Sequence, residues 1–270
     1  LKTSPMHYQK ICFDAMDVVR EAAAYIRGRH MNRKNLNVEA KGRQNYVTEV
    51  DTEAERILVK GLSSLLPEAG FITEEGTTRK KGKSYHWIID PVDGTTNFIH
   101  GVYPFAISVG LLEEEEVVAG VIYEFGFDEY FYAWKKGGAW LNGNPIRTSS
   151  VDRVRDALIA TGFPYTDFGY MKEFMESVDH FMKNSNGLRR LGSAATDIAY
   201  VACGRYDAFY EYGLHPWDIA AGILLLKEAG GRISDFDGNP DALFSETIIS
   251  SNSLMFEEFR DTVQKIMHNR

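Results

Sequence analysis

Cysteine, proline and long apolar runs are all scarce in this chain of 270 residues, which contains only two cysteines and eight prolines. Cys12 and Cys203 lie far apart and form no C-x-x-C pair, so the sequence supports neither a disulfide framework nor a thiolate metal site. No apolar run approaches the roughly 20 residues that a membrane-spanning helix needs. Residues 1–6 lack a charged segment followed by an apolar one, so we expect no secretory signal.

Basic residues are fewer than acidic residues in this chain. The chain has 30 lysines and arginines against 38 aspartates and glutamates, which gives a formal net charge of −8 at pH 7 and a pI near 5.4. An acidic surface repels a phosphate backbone, so we expect no nucleic acid as a partner, and the lack of a long apolar run leads us to expect no membrane partner. The composition, 44% hydrophobic and 13% aromatic, allows a large core in one large domain or two smaller ones.

The pattern of apolar residues changes in the middle of the chain. In the first half, two amphipathic helices joined by a polar connector precede several β-rich runs, which predicts helices on a mainly antiparallel sheet. In the second half strands and helices alternate, which favours an α/β layer, and Ser193 can cap one of these helices. We therefore predict an α+β subdomain over residues 1–146 and an α/β subdomain over residues 147–270.

The rest of the chain is interpreted around residues 87–98, WIIDPVDGTTNF. Its apolar start is typical of a buried strand, and we place Asp90 and Asp93 on a turn just past the end of that strand. Gly94 lets the backbone come close to a ligand, and a helix starting there would present N–H groups to an anion. This order suits a metal and phosphate site, although an ordinary Asp-rich turn explains the same residues equally well.

Other acidic residues fall at the ends of predicted elements. Asp51 lies at a helix start, Glu74 follows a strand, and Asp218 lies in the first turn of a helix. An acid near a helix N-terminus gains roughly 0.3–1 kcal/mol from the dipole without any function. If these residues converge on the central aspartates, however, repulsion must raise their pKa values or require cations, and all-oxygen ligands suit Mg²⁺ or Mn²⁺.

Two of these motifs resemble a known family. Residues 90–98, DPVDGTTNF, resemble the signature of inositol monophosphatases, and residues 217–222, WDIAAG, resemble the second signature of that family. Similar segments at 47–51, 70–76, 137–142 and 192–195 extend the resemblance over nearly the whole chain. It implies the sugar-phosphatase fold, an α/β fold with αβαβα layers and a site between two subdomains.

The resemblance also implies a role for particular residues. The implied metal ligands are Glu74, Asp90, the Val92 carbonyl, Asp93 and Asp218, holding two or three Mg²⁺ ions, with Mn²⁺ as an alternative. The implied catalytic residues are Glu74, Asp90, Asp51, which assists a further metal or its waters, and Thr95, which orients the attacking water. The implied substrate contacts are Asp93, Gly94, Thr95, Thr96, Ser193, Ala194, Glu211 and Asp218. Glu75 is a candidate outside the ligand set.

The expected function is Mg²⁺-dependent hydrolysis of a small polyol phosphate, with myo-inositol monophosphate as the leading substrate. Fructose-1,6-bisphosphate, NADP, histidinol phosphate and 3′-phosphoadenosine 5′-phosphate are alternatives within the same superfamily. Thr96-Asn97 favours the inositol branch over the nucleotide-directed members. A non-catalytic sugar-phosphate binding protein is disfavoured because every matched ligand is intact.

Two positions near the site depart from the family pattern, and neither replaces an implied metal ligand. Thr73 stands where the family usually has glycine, and His215-Pro216 precedes the second signature. The resemblance further implies lithium sensitivity, a homodimer and a cytoplasmic location.

Overall fold

Seven α-helices, one short 3₁₀ helix (Val154–Asp156) and fourteen strands occur in the part of the chain that the computed structural model describes, residues 5–31, 38–42, 45–165 and 168–268. The helices are α1 (Pro5–Met31), α2 (Glu49–Leu65), α3 (Thr95–His100), α4 (Met171–Asn184), α5 (Ala194–Ala202), α6 (Pro216–Glu228) and α7 (Phe256–Met267). The first nine strands are β1 (Val38–Gly42), β2 (Asn45–Thr48), β3 (Gly70–Thr73), β4 (Tyr85–Asp93), β5 (Ala106–Glu113), β6 (Glu116–Glu124), β7 (Glu129–Trp134), β8 (Ala139–Leu141) and β9 (Asn144–Ile146). The others are β10 (Leu158–Thr161), β11 (Gly187–Arg189), β12 (Ala208–Tyr212), β13 (Gly231–Ser234) and β14 (Thr247–Asn252). None of the described helices is long and apolar enough to cross a membrane.

Two large sheets organise these elements. The first has the order β3-β4-β5-β6-β7-β8-β9 and is antiparallel except for the parallel pair β3–β4. The second has the order β11-β10-β12-β14-β13, in which β10 runs parallel to both neighbours and β14 antiparallel to both of its own. The first sheet uses strands up to Ile146 and the second uses strands from Leu158 onward. The exact subdomain boundary stays a prediction.

The helices form three layers around the sheets. Helices α1 and α2 pack against the first sheet, α5 and α6 contact strands of both sheets, and α4 and α7 pack on the second sheet and on each other. All nine residues of α5 and eight consecutive residues of α6 are buried, as expected for helices enclosed on two sides. The predicted αβαβα layering of this α/β chain is confirmed.

Close packing of α6 on the first sheet depends on two glycines. Gly110 of β5 and Gly120 of β6 are paired across the two strands. A Cβ at Gly110 would lie 3.0 Å from the Ala220 Cβ, and a Cβ at Gly120 would lie 3.0 Å from the Ala221 Cα. Since contacts this short leave little space for a side chain, the two glycines permit the close approach of α6 to the sheet.

Three details of the secondary structure differ from the sequence prediction. Strand β4 continues through Asp93 instead of ending before Asp90, because both aspartates still pair with β5. The predicted polar connector contains the hairpin β1–β2. The sequence analysis also did not identify β14 and α7, which complete the second sheet and its outer layer.

Candidate active site

A bulge in β4 brings the two central aspartates to the same side of the sheet. Asp90 pairs with Ser108 and Asp93 with Ala106, so three steps along β4 match two steps along β5. Side chains three positions apart normally point to opposite faces of a strand, and one extra residue cancels that alternation. The carboxylate of Asp90 also accepts a hydrogen bond of 2.9 Å from the Val92 N–H, which stabilises the bulge.

The two aspartates lie in a cleft of about 170 Å³ between the sheets. Of the residues implied by the family resemblance, the cleft wall contains Glu74, Asp90, Val92, Asp93, Gly94, Thr95, Thr96, Ser193, Ala194, Glu211 and Asp218. Asp51 and Glu75 are not among the lining residues. The structure therefore brings together every implied metal ligand and substrate contact, although they come from several separate elements.

Asp93 is held by the N-terminus of α5. Its Oδ2 accepts hydrogen bonds of 2.7 Å from both the Ser193 Oγ and the Ala195 N–H. Ser193 is the N-cap of α5, as predicted, since its Oγ accepts a hydrogen bond from the Thr196 N–H. The helix thus directs N–H groups and its positive dipole end at a carboxylate of the first sheet.

Asp218 reaches the cleft from the first turn of α6. Its Oδ2 accepts a 2.7 Å hydrogen bond from the His215 N–H, and Pro216 occupies the first helical position, where a missing N–H costs nothing. The Ser108 Oγ donates a hydrogen bond of 3.1 Å to the Trp217 carbonyl. Since Ser108 is the strand partner of Asp90, this bond holds the first turn of α6 close to Asp90. Carboxylate oxygens of Asp90, Asp93 and Asp218 consequently lie within 4.8 Å of one another.

Burial and mutual repulsion raise the pKa values of these acids. Burial raises the pKa of Asp90 well above its usual range, and the charges of Glu74, Asp93 and Asp218 raise it further. Burial followed by the charge of Asp93 raises the pKa of Asp218 in the same way. The pKa of Asp93 rises to about 6 because burial outweighs its hydrogen bonds from α5. Without a counterion, full ionisation of the three carboxylates at neutral pH therefore costs free energy.

This donor set fits a divalent cation. Three carboxylates with oxygens within 4.8 Å of one another provide hard oxygen ligands, and Glu74 is close enough to Asp90 to raise its pKa. Mg²⁺ and Mn²⁺ prefer such ligands, and their charge would relieve the repulsion that burial leaves uncompensated.

Thr95 and Asp51 form a pair behind the cluster. The Thr95 Oγ1 lies 3.0 Å from the Asp51 Oδ1 and 3.0 Å from the Val92 carbonyl oxygen, and can donate its single proton to either. Asp51 is fully buried, and its Oδ2 accepts a 2.9 Å hydrogen bond from the Thr48 N–H. Asp51 does not line the cleft itself, but its hydrogen bond with Thr95 connects it to a residue that does.

Gly94 is the N-cap residue of α3, a helix start that the sequence analysis considered at this position. Its φ of 94° is in the left-handed region, and a Cβ there would lie 3.0 Å from the Gly192 carbonyl oxygen. A side chain at this position would be strained and would clash. The turn consequently presents Thr95 and Thr96 at the open wall of the cleft.

Glu211 lies on the opposite wall, in the second sheet. It is the fourth of five residues in β12, and only 9% of its surface is exposed. A Cβ at Gly162 would lie 1.8 Å from the Glu211 Oε1, so a side chain there would force this carboxylate to move. Burial and the charge of Asp93 raise the pKa of Glu211 to about 8, while Arg190 opposes the shift.

Several cleft residues were missed by the sequence analysis. Arg190 lines the cleft with its guanidinium carbon 5.2 Å from the Phe163 ring centre and 5.4 Å from the Tyr165 ring centre. The Phe163-Pro164-Tyr165 segment follows β10, and loops after parallel strands commonly line binding crevices. The position of Phe163 and Tyr165 shortly after a predicted strand could have identified them from the sequence. For Arg190 the only sequence signal was its place shortly before the N-cap of α5.

Comparison with known proteins identifies relatives over nearly the whole chain. Residues 7–268 match the model of a family described as "Inositol monophosphatase family". An inositol-1-monophosphatase from Mesorhizobium japonicum is 40% identical over 254 residues, which cover 92% of this chain and 96% of that protein. A Thermotoga maritima protein named fructose-1,6-bisphosphatase/inositol-1-monophosphatase is 40% identical over 232 residues, 86% of this chain and 88% of that protein. The crystal structure of the extragenic suppressor protein SuhB from Bartonella henselae matches with a TM-score of 0.86 at 36% identity, covering 94% of this chain and 98% of that chain.

Asp90→Asn is expected to stabilise the metal-free protein at high pH. The folded-state pKa of Asp90 is raised above its ordinary value of 3.8. The folded protein therefore loses stability as the pH rises from about 3.8 through the folded-state pKa. Removing the charge should raise the melting temperature at pH 8 by roughly 2–4 °C per kcal/mol of repulsion relieved, and by almost nothing at pH 4. The increase in melting temperature on adding MnCl₂ should shrink.

The matched control is Asp235→Asn, because the Asp235 carboxylate accepts a 2.8 Å hydrogen bond from the Asn239 N–H and does not line the cleft. That variant should leave the metal-induced change in melting temperature intact. A melting temperature of Asp90→Asn that follows the wild type at every pH would contradict repulsion within the cluster.

Proposed function

The chain belongs to the inositol monophosphatase family and is a phosphoric monoester hydrolase, and on that basis we propose that it hydrolyses myo-inositol monophosphate in an Mg²⁺-dependent reaction. The observation that carries the proposal is the convergence of Asp90, Asp93 and Asp218, with oxygens within 4.8 Å, beside a turn suited to phosphate. Glu74 and the Val92 carbonyl complete the proposed ligand set, and both line the same cleft. Bound Mg²⁺ would act as a Lewis acid that activates water and neutralises charge on the leaving oxygen.

We assign the orientation of the attacking water to Thr95. Its hydroxyl proton is directed to Asp51 or to the Val92 carbonyl, so the remaining lone pairs of Oγ1 can accept a hydrogen bond from water. Asp51 holds the hydroxyl in this direction because its other oxygen is bound to Thr48. Thr95 thus orients a nucleophile without itself being phosphorylated.

Separate walls of the cleft would recognise the two parts of the substrate. The turn formed by Gly94, Thr95 and Thr96 presents N–H groups to the phosphate. Ser193, Ala194 and Glu211 face the alcohol part from the second sheet and α5. This arrangement separates phosphate binding, which every substrate of the enzyme shares, from the contacts that select the alcohol.

Fructose-1,6-bisphosphate is a second candidate substrate. Arg190 lines the cleft and carries a positive charge among acidic residues, so it could pair with a second phosphate group. The relative from Thermotoga maritima has both activities in its name. NADP, histidinol phosphate and 3′-phosphoadenosine 5′-phosphate have no such observation in their favour.

A phosphate-release assay on these five substrates tests the proposal. We expect inositol-1-phosphate to give the highest kcat/KM, activity to require Mg²⁺, and EDTA to abolish it. Mn²⁺ should restore part of the activity because it shares the preference of Mg²⁺ for oxygen ligands. Equal turnover with and without EDTA would contradict the metal-dependent mechanism, and a higher kcat/KM on fructose-1,6-bisphosphate would favour the second candidate.

Lithium inhibition is proposed from family membership. A small monovalent cation can occupy one oxygen-lined position without enough charge to support release of phosphate. Titration with LiCl at saturating Mg²⁺ should lower the rate, whereas KCl should not. Superimposable curves for the two salts would exclude lithium sensitivity.

Glu211→Gln is expected to change substrate preference and to leave the Mg²⁺ dependence nearly unchanged. The charge of Asp93 contributes to the raised pKa of Glu211, so a cation bound at the aspartates favours the ionised form of Glu211. That carboxylate can accept hydrogen bonds from ring hydroxyls, and losing such a charged partner typically costs roughly 1.5–3 kcal/mol. The order of kcat/KM among inositol phosphate, glycerol phosphate and p-nitrophenyl phosphate should therefore change. Equal losses on all three that excess Mg²⁺ restores would place Glu211 among the metal ligands, and unchanged kinetics would exclude a role in recognition.

Family membership also leads us to propose a cytoplasmic homodimer. Sedimentation at micromolar concentration tests the assembly state, for which we expect about twice the chain mass of 30.5 kDa. A single species at the monomer mass would contradict the proposed dimer.

A further inference from the structure

Helix α2 contains a second buried acid whose contacts lead toward the cleft. Glu55 is fully buried, and each of its carboxylate oxygens accepts one backbone N–H. The Oε2 is 2.7 Å from the Glu75 N, and the Oε1 is 2.7 Å from the Thr77 N. The two donors lie one and three positions after Glu74, which lines the cleft.

The loop that Glu55 holds has little regular structure of its own. Strand β3 ends at Thr73 and β4 begins at Tyr85, so the segment between them lies outside both strands. The Glu74 N–H donates a 3.2 Å hydrogen bond to the Ile89 carbonyl, which attaches the start of the segment to β4. Glu55 supplies two further acceptors to the residues beyond it, and buried N–H groups need such partners.

Glu55 and Asp51 are one turn apart on α2, a spacing that places them on the same face of the helix. Asp51 contacts Thr95 on one wall of the cleft, while Glu55 holds the loop that carries Glu74 on another. One face of α2 therefore contacts both Thr95 and the loop that carries Glu74.

We propose that Glu55 is a positioning residue: by holding the backbone after Glu74, it keeps the Glu74 carboxylate where it can join Asp90 in binding a divalent cation. The inference depends on the proposed function, because Glu74 must be a metal ligand. Groups that orient metal ligands commonly change metal affinity by about 10–100-fold when they are replaced.

The chain offers two matched controls. Glu124 is fully buried, and its carboxylate oxygens accept the N–H groups of Gly126 and Phe127. Glu228 accepts the N–H groups of Lys136 and Gly138, at 2.7 and 2.8 Å. Neither glutamate holds a turn that contributes a residue to the cleft. Their replacement disturbs the same kind of hydrogen-bond pair without touching the proposed metal ligands.

The test compares Glu55→Gln, Glu124→Gln and Glu228→Gln with the wild type. Glutamine keeps the shape of the side chain, but its NH₂ group takes the place of one acceptor oxygen. One of the two backbone N–H donors therefore loses its acceptor. Mn²⁺ binding is measured by calorimetry, loop order by amide exchange of Glu75 and Thr77 without metal, and turnover against Mg²⁺ concentration. We expect Glu55→Gln to weaken Mn²⁺ binding by about 10–100-fold, to speed exchange at both amides, and to raise the Mg²⁺ requirement more than it lowers kcat.

The two controls should bind Mn²⁺ within about threefold of the wild type, well short of the loss that a disturbed ligand environment causes. Glu55→Asp, which keeps the charge on a shorter side chain, provides the decisive comparison if Glu55→Gln does not fold, and it should also weaken Mn²⁺ binding. Mn²⁺ affinity of the Glu55 variants equal to that of Glu124→Gln would overturn the positioning role and leave the proposed function standing. A wild type that neither binds Mn²⁺ nor needs Mg²⁺ would overturn both.

Discussion

Repulsion among buried carboxylates is the constraint that the rest of this structure has to satisfy. Two charges 4 Å apart repel by about 4 kcal/mol at an effective dielectric constant of 20, so a cluster of acids opposes the fold that assembles it. Asp90, Asp93 and Asp218 come from a strand and a helix far apart in the chain, yet their oxygens lie within 4.8 Å. Burial and this repulsion together raise the pKa values of Asp90 and Asp218, which is why a cation fits this cluster.

The fold offsets this repulsion with backbone N–H groups and close packing. The N-terminus of α5 directs Ser193 and Ala195 at Asp93, and the cap of α6 binds Asp218 through the His215 N–H. Both helices belong to the central layer, which is buried between the sheets. Gly110 and Gly120 leave room for α6, so the spacing between α6 and the first sheet, and with it the position of Asp218, is determined by the core. The geometry of the site consequently depends on the packing of the core, so a change in packing between α6 and the first sheet should change the position of the Asp218 carboxylate.

Local sequence was enough to predict much of the fold, whereas the expected set of cleft residues came from the family resemblance. The apolar run before Asp90, the Ser193 cap and the alternation of strands and helices each depend on nearby residues, and all three were confirmed. The bulge in β4 was missed because it exists only through the register with β5, which no local pattern encodes. Glu55 was missed for a similar reason, since its partners lie 20 and 22 residues away in the chain.

By itself, the sequence determined which chemical groups are available and where the elements carrying them begin. It determined the carboxylate groups, the glycine that permits the turn at Gly94, and the motifs that place the chain in its family. Only the tertiary structure decided which of those acids became neighbours, how far their pKa values rose, and that Arg190 would share the cleft with them. The physical reason is that Coulomb repulsion and desolvation depend on separation and burial in space, whereas a sequence records only separation along the chain.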